Sequence, residues 1–176
     1  MRRSPRLFPL LADSARGMTA LAVQRLSDPP RAGELLALAH AAFGELDIDP
    51  PSSVLRESTA DFAKRLSSET CFAIEHEGRI VASVFCIPQG DALYIGRLAV
   101  APGMRRKGLA SALIEAATAE ARRIGAARIT LKARISLVSN VALFRRHGFA
   151  VVAEETHAGY AAPTSYAMEL RLAPAR

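Results

Sequence analysis

A single stretch constrains this chain more than any other. Leu98-Ala99-Val100-Ala101-Pro102-Gly103 leads into Met104-Arg105-Arg106-Lys107 and then Gly108-Leu109-Ala110, where a long helical pattern opens. A β-rich segment from Leu93 to Val100 ends at the Pro-Gly pair, and a basic turn follows it. The first amides of a helix have no partner within it, and the helix dipole adds positive potential at that end. Small residues let an anion approach the backbone closely, so the stretch reads as a pyrophosphate cradle, with Arg105, Arg106 and Lys107 supplying full charges beside it. Two plainer readings stay open beside this one: a solvated basic loop for the three cations, and a helix-capping glycine for Gly108.

The helix behind the turn is well marked. Ala110, Leu113, Ile114, Ala117, Ala121 and Ile124 recur at the spacing of one buried face, with Ser111, Glu115, Thr118 and Arg122 opposite. Gly125 stands where a C-terminal cap belongs, and Arg128 to Ala133 reads as the next strand. Strand, turn, helix and strand make a crossover that favours parallel neighbours.

Composition narrows the partners. The formal charge is +6, and between Arg105 and Arg134 eight Lys/Arg stand against only Glu115 and Glu120. The excess is therefore gathered at the proposed cradle, as a small polyanion would require. No aromatic residue is interleaved there, so nucleic-acid stacking is not supported, and duplex binding would need a reading element that is not evident. No apolar run approaches ~20 residues, so no membrane helix is expected. Cys71 and Cys86 lie in strand-like segments without metal spacing. Reduced, buried thiols in a cytoplasmic protein are the expectation, a catalytic or disulfide role the alternative. No metal site is expected.

Residues 1–17 read as a flexible basic tail and 18–176 as one domain, with Met18 an alternative natural start. Thr19 to Val23 is expected as the first strand. Asp28 is expected to cap a first helix through Pro29-Pro30 and Leu35 to Phe43, and Thr59 to Leu66 to form a second. Cys71–Glu75 and Arg79–Ile87 are strands joined by a tight turn at His76-Glu77-Gly78, and Gln89-Gly90-Asp91 leads into the strand before the cradle. A short helix over about Val141–Arg146 is capped by Asn140, and two closing strands, Ala150–Glu154 and Ser165–Leu170, flank a loop. The order βααβββαβαββ gives an α/β (α+β) fold: a mixed, mostly antiparallel sheet of about seven strands flanked by about four helices on both faces.

Arg105-Arg106-Lys107-Gly108-Leu109-Ala110 resembles the R/Q-x-x-G-x-G/A signature of the GNAT N-acetyltransferases. Asn140 through Gly148-Phe149 resembles a second element of that family, in the family's order, and the resemblance spans roughly Thr19 to Leu172. It implies acetyl transfer from acetyl-CoA to the amine of an unidentified small molecule or peptide, by direct attack in a ternary complex, with a homodimer possible. It assigns coenzyme contacts to the main chain of Leu98, Ala99 and Val100, to Arg105, Arg106, Lys107, Gly108, Leu109 and Ala110, and to Asn140 and Phe144. It places the first two helices at the acceptor wall. Asn140 lies closer to Gly148-Phe149 than the family's usual asparagine does, so capping competes with coenzyme binding there.

Two departures stand out. The family often has a tyrosine, as general acid, where this chain has Phe144, and a glutamate, as general base, where it has Gly96. No catalytic side chain is therefore assigned. Water, or Tyr94, Tyr160, Tyr166 or His157, would have to serve, and a non-catalytic acyl-CoA binding protein is the alternative function. His147 reads as a surface or capping residue. Arg97, a charge within an apolar strand, either faces an anionic acceptor or bridges to a carboxylate such as Glu75.

Overall fold

The computed structural model describes residues 21–173. The tail, Met18 and the beginning of the expected first strand lie outside these residues. The described chain forms β1 (Val23–Leu26), α1 (Ala32–Gly44), α2 (Thr59–Ser68), β2 (Thr70–His76), β3 (Arg79–Gln89), β4 (Ala92–Val100), α3 (Leu109–Arg123), β5 (Arg128–Arg134), α4 (Val138–Arg146), β6 (Ala150–Glu155) and β7 (Ser165–Arg171). Short 3-10 turns at Pro29–Arg31, Ser53–Arg56 and Pro102–Met104 punctuate it. The expected order of elements is the observed one.

Local chemistry explains most boundaries. Glu77 and Gly78 both have positive φ in the two-residue turn joining β2 to β3, the geometry that matches the twist of a hairpin. Gly125 (φ +73°) closes α3: its N–H donates to Arg122 O and that of Ala126 to Ala121 O, satisfying two terminal carbonyls. Ser58 and Asp61 cap α2 reciprocally. Three expectations need correction. β1 starts at Val23, later than expected, with its ladder to β2 running from Val23 to Leu26. Asp28 makes no side-chain cap: the two prolines set a 3-10 turn, and α1 starts only at Ala32. On α3, Leu109 takes the buried position expected of Ala110, and Ile124 is 38% exposed.

All seven strands form one sheet in the order β1-β2-β3-β4-β5-β7-β6. Every neighbouring pair is antiparallel except β4 and β5, which run parallel. Their ladder holds only Ala92↔Arg128, Leu93↔Ile129 and Tyr94↔Thr130. Beyond Tyr94 the two strands run on without pairing and leave a fork in the middle of the sheet.

One core lies on each face. Leu113, Ile114 and Ala117 of α3 and Val141 and Phe144 of α4 pack on Leu93, Ile95, Ile129 and Leu131. Leu35, Leu38 and Phe62 of α1 and α2 pack on Ala73, Phe85 and Ala99 across the sheet. A bulge in β4 links these faces to the fork. Ser83 pairs with Ala99 and Phe85 with Gly96, so Val84 alone opposes both Arg97 and Leu98. Arg97 takes the left-handed backbone conformation there (φ +54°). Side-chain parity reverses at this point: Leu93 and Ile95 before it, and Leu98 and Val100 after it, all join the α3 core. Arg97 thereby follows Gly96 onto the α1–α2 side.

Candidate functional site

From the open end of the fork β4 leads, through one short turn, into the start of α3. After the turn at Pro102–Met104, Arg106 (φ +60°) and Gly108 (φ +79°) both adopt left-handed conformations. Alternation of this kind turns successive amides toward one concave side, which suits an anion. The amides of Gly108, Leu109, Ala110 and Ser111 meet no acceptor among the described residues. A methyl group on Gly108 would meet nothing within 4 Å, so the space over this turn is open. The left-handed backbone is a second and independent reason for glycine there.

The side chains divide differently. Arg106 and Lys107 are exposed, and the Lys107 ammonium rests 3.6 Å from Met104 Sδ. Arg105 turns back to α1, donating to Ala42 O at 3.1 Å and pairing with Glu45 at 3.3 Å. Leu109 is buried and Ala110 half-buried, so these two offer amides rather than side chains. Leu98 and Val100 pack into the α3 core and Ala99 is buried on the other face, as expected of residues whose main chain alone would serve a ligand.

The opposite side of the fork is lined from four directions. β4 contributes Tyr94, Gly96 and Arg97, and β5 contributes Thr130, Lys132 and Arg134, which alternate with the core residues Leu131 and Ala133. The segment between α1 and α2 adds Asp49, Pro50, Ser53 and Glu57, and the β6–β7 loop adds His157 and Tyr160. Arg97 donates to Glu57 Oε1 through Nε at 3.1 Å and reaches Ser53 Oγ at 3.4 Å. It bridges to a carboxylate, but to Glu57 and not to Glu75, which pairs with Arg31. Arg65 also binds Glu57, at 3.1 Å, and binds Glu69 at 2.8 Å. Burial opposes ionisation of Glu57, but hydrogen bonds from Arg97 and Arg65 outweigh it and hold the carboxyl below its usual range. In Glu69 burial prevails over Arg65 and pushes the carboxyl up; its Oε2 is buried without a partner.

Across the fork, Arg134 Nη2 donates to Pro50 O at 2.6 Å, and Nη1 lies 3.4 Å from His157 Nδ1. Arginine can only donate, so Nδ1 accepts and the neutral ring carries its proton on Nε2. Burial, and then the Arg134 and Lys132 cations, lower the His157 pKa and favour that neutral ring. Thr164 Oγ1 also contacts Nδ1, and the Tyr160 hydroxyl donates to Asp49, which pushes the phenol pKa up.

The profile of the acetyltransferase (GNAT) family matches residues 34–149, more than half the chain. The chain belongs to the GNAT acetyltransferase family. It is therefore an acyltransferase of a kind that works with a CoA cosubstrate. Solved structures agree on the fold. A GNAT-family acetyltransferase from Streptococcus pneumoniae is 18% identical, with a TM-score of 0.73, covering 87% of this chain and 99% of that one. The ribosomal-protein-S18-alanine N-acetyltransferase from Escherichia coli is 20% identical (TM-score 0.71, 88% and 96% covered). The PaiA N-acetyltransferase from Thermoplasma acidophilum, solved with coenzyme A, is 13% identical (TM-score 0.71, 86% and 100% covered). At such identities these structures speak for the fold alone. No curated protein matches the chain significantly.

Within this GNAT fold the remaining sequence candidates fall into place. Asn140 is not a cap: α4 begins at Val138 with Leu137 at its N-cap, and Asn140 is the exposed third residue of the helix. Phe144 is 8% exposed and packs edge-on to Phe149 at 5.9 Å, so most of its ring belongs to the core. His147 is the C-terminal cap of α4, one of its two expected roles, and its Nε2, 2.9 Å from Ser111 Oγ, ties that end to the first turn of α3. Tyr166 lines a shallow groove with Ile135 and with Val138 of α4, on the α3–α4 face of the sheet and away from Arg97. Cys71 and Cys86 are free, buried thiols pushed up to about 12, chiefly by burial. Among the described residues no helix is long and apolar enough to cross a membrane, and no three His, Cys, Asp or Glu cluster to hold a metal. Sequence reasoning missed Glu57 and Arg134, whose partners Arg97 and Pro50 lie far away along the chain, and Arg65, which joins the site only through Glu57.

Proposed function

We propose that this GNAT protein transfers an acetyl group from acetyl-CoA to the amine of a small molecule or peptide, by direct attack while both are bound. One observation carries the reading: the four free amides that open α3 follow, after one short turn, the open end of a fork between two parallel strands. In this reading the amides of Gly108, Leu109 and Ala110 hold the diphosphate, with Arg106 and Lys107 beside them and Arg105 tethered to α1. The unpaired edge of β4 over Leu98–Val100 holds the pantetheine arm through its main chain, and a β4 amide meets the thioester oxygen as negative charge grows on it. The acceptor enters from the α1–α2 side, past Tyr94 and Arg97. Holding amine and thioester together removes much of the entropic barrier, and a fixed N–H donor lowers it further. The amine nitrogen forms the new C–N bond, the C–S bond breaks, and the coenzyme leaves as a thiol after taking up a proton.

The test compares coenzyme A with a pantetheine fragment lacking the diphosphate. Gly108→Val, and Arg106→Ala with Lys107→Ala, should weaken the coenzyme at least tenfold and the fragment little, measured by calorimetry. Equal losses for both ligands would contradict the cradle. Release of free thiol from acetyl-CoA across a panel of amines tests the transfer itself. A second reading has its own support in Gly96 and Phe144, which leave both familiar proton-handling positions without an ionisable group. An acyl-CoA binding protein predicts tight coenzyme binding and no thiol release with any amine.

A further inference from the structure

Five arginines among the described residues are half-buried: Arg31, Arg65, Arg97, Arg128 and Arg134. Removing a guanidinium from water is costly unless a counter-charge accompanies it, and four of the five have one. Arg31 pairs with Glu34 and Glu75, Arg65 with Glu57 and Glu69, Arg97 with Glu57, and Arg128 with Asp91 and Glu169. Arg134 has no carboxylate within ion-pair distance among the described residues. Its contacts are a carbonyl, Pro50 O, and a ring nitrogen, His157 Nδ1. Asp49 is nearby, but it makes no pair with Arg134 and accepts the Tyr160 hydroxyl. Lys132, two residues back on the same face, is neutralised by Glu155 at 2.6 Å. Two of the five guanidinium N–H groups are thus engaged and three remain.

The place of this cation matters as much as its lack of a partner. β5 has no ladder to β4 beyond Thr130, so Arg134 stands on the far arm of the fork. Continuing the same offset between the strands sets Ala133 and Arg134 beside Arg97 and Leu98. Arg134 is on the face opposite the α3 core and crosses to the segment after α1, as Arg97 crosses from the other arm to Glu57. One arm of the acceptor side therefore presents a cancelled charge and the other an uncancelled one.

We propose that the acceptor amine carries a carboxylate, and that Arg134 binds it. This rests on the acyl-transfer reading above. A planar guanidinium takes a carboxylate in two parallel hydrogen bonds, which fixes direction as well as position and would orient the amine toward the β4 arm. The carboxylate is either that of a free amino acid or an acidic group of a peptide.

The experiment uses the full chain with acetyl-CoA and pairs each acid with its amide. The acceptors are glycine, β-alanine, lysine and glutamate against their amides, dipeptides with free or amidated C-termini, and peptides with Asp against Asn at the second position. Spermidine serves as an amine without a carboxylate. We expect the wild type to favour some acid over its amide by about 10- to 100-fold in kcat/KM, mostly through KM. Arg134→Gln should remove that preference, and Arg134→Lys should keep part of it. Coenzyme binding checks that each variant is folded; should the glutamine variant not fold, the wild-type preference and the lysine variant decide. Which class of acceptor shows the effect tells free amino acid from peptide. Equal or better turnover of amides or spermidine would overturn the proposal, and so would equal losses on acids and amides in Arg134→Gln, the mark of a residue that only straps two loops together. If no amine turns over, the acyl-transfer reading fails, and binding of the N-acetylated acids and their amides to the coenzyme-loaded protein decides about Arg134. Acid-selective binding lost in Arg134→Gln supports the proposal; no acid-selective binding overturns it.

Discussion

The ring of Tyr94 lies across Gly96: a methyl group on Gly96 would stand 2.9 Å from Tyr94 Cε1 and 3.6 Å from its hydroxyl oxygen. The place where the family resemblance puts a carboxylate is therefore filled from two residues upstream on the same strand face. Gly96→Glu alone should bring no gain in acetyl transfer, because the new side chain and the phenol compete for one volume. Gly96→Glu combined with Tyr94→Ala should exceed Gly96→Glu in turnover, a non-additivity read from a double-mutant cycle. Gly96→Ala should shift the half-buried Tyr94 ring rather than the backbone, read as a change in tyrosine fluorescence with little change in urea unfolding.

Glu57 neutralises Arg97 and Arg65 together, at 14% exposure against 24% for each arginine. Glu57→Gln should therefore destabilise the protein more than Arg97→Met, by about 1–3 kcal/mol in chemical unfolding, because it leaves half-buried Arg97 without a carboxylate and Arg65 with Glu69 alone. The Glu57 carboxyl is held low in the folded state, so its contribution is present above the usual carboxylate range and fades as pH falls below it.

Glu120 is buried on α3 and binds Arg123 at 2.7 Å and Arg25 at 2.8 Å. Hydrogen bonding from Arg123, opposed by burial and reinforced by Arg25, lowers its pKa from 4.5 to about 2. A depressed carboxyl stabilises the fold above its unfolded pKa and loses that effect as pH drops through the folded one. The stability difference between wild type and Glu120→Gln should be constant above about pH 5 and shrink toward pH 2. Both arginines are largely exposed, so solvent screening limits its plateau to about 1–2 kcal/mol.

Both thiols are held protonated by burial, with pKa values of about 12, so neither offers thiolate at neutral pH. Native protein should resist an aromatic disulfide reagent at pH 8 and release two equivalents of chromophore once unfolded. Rapid labelling of the native chain would show that β2 and β3 open far more readily than their packing implies.

What could be read in the sequence was local. Gly108 and Gly125 bracket α3 because each needs a left-handed backbone, and hydrophobic spacing between them fixes the helix. The hairpin at Glu77-Gly78 is equally local. The proposed acceptor side is not, because its order comes from distant partners: Arg97 with Glu57 and Arg134 with Pro50. Asn140 misled because a capping residue type happened to sit three residues inside a helix that starts without a side-chain cap. The bulge that turns Arg97 toward Glu57 is only half legible: the charge of Arg97 breaks an apolar strand, but nothing local says that one residue there is extra.

The short parallel ladder has a mechanical side. Three residue pairs are the whole strand ladder between β1–β4 and β5–β7–β6, reinforced at the same corner by the bond from Ala127 N–H to Asp91 O, so the sheet is two rafts moored at one corner over the α3 core. Any ligand wedged between the free ends works as a lever on that mooring, and a small rocking of the rafts would widen or narrow the gap without breaking a single antiparallel rung.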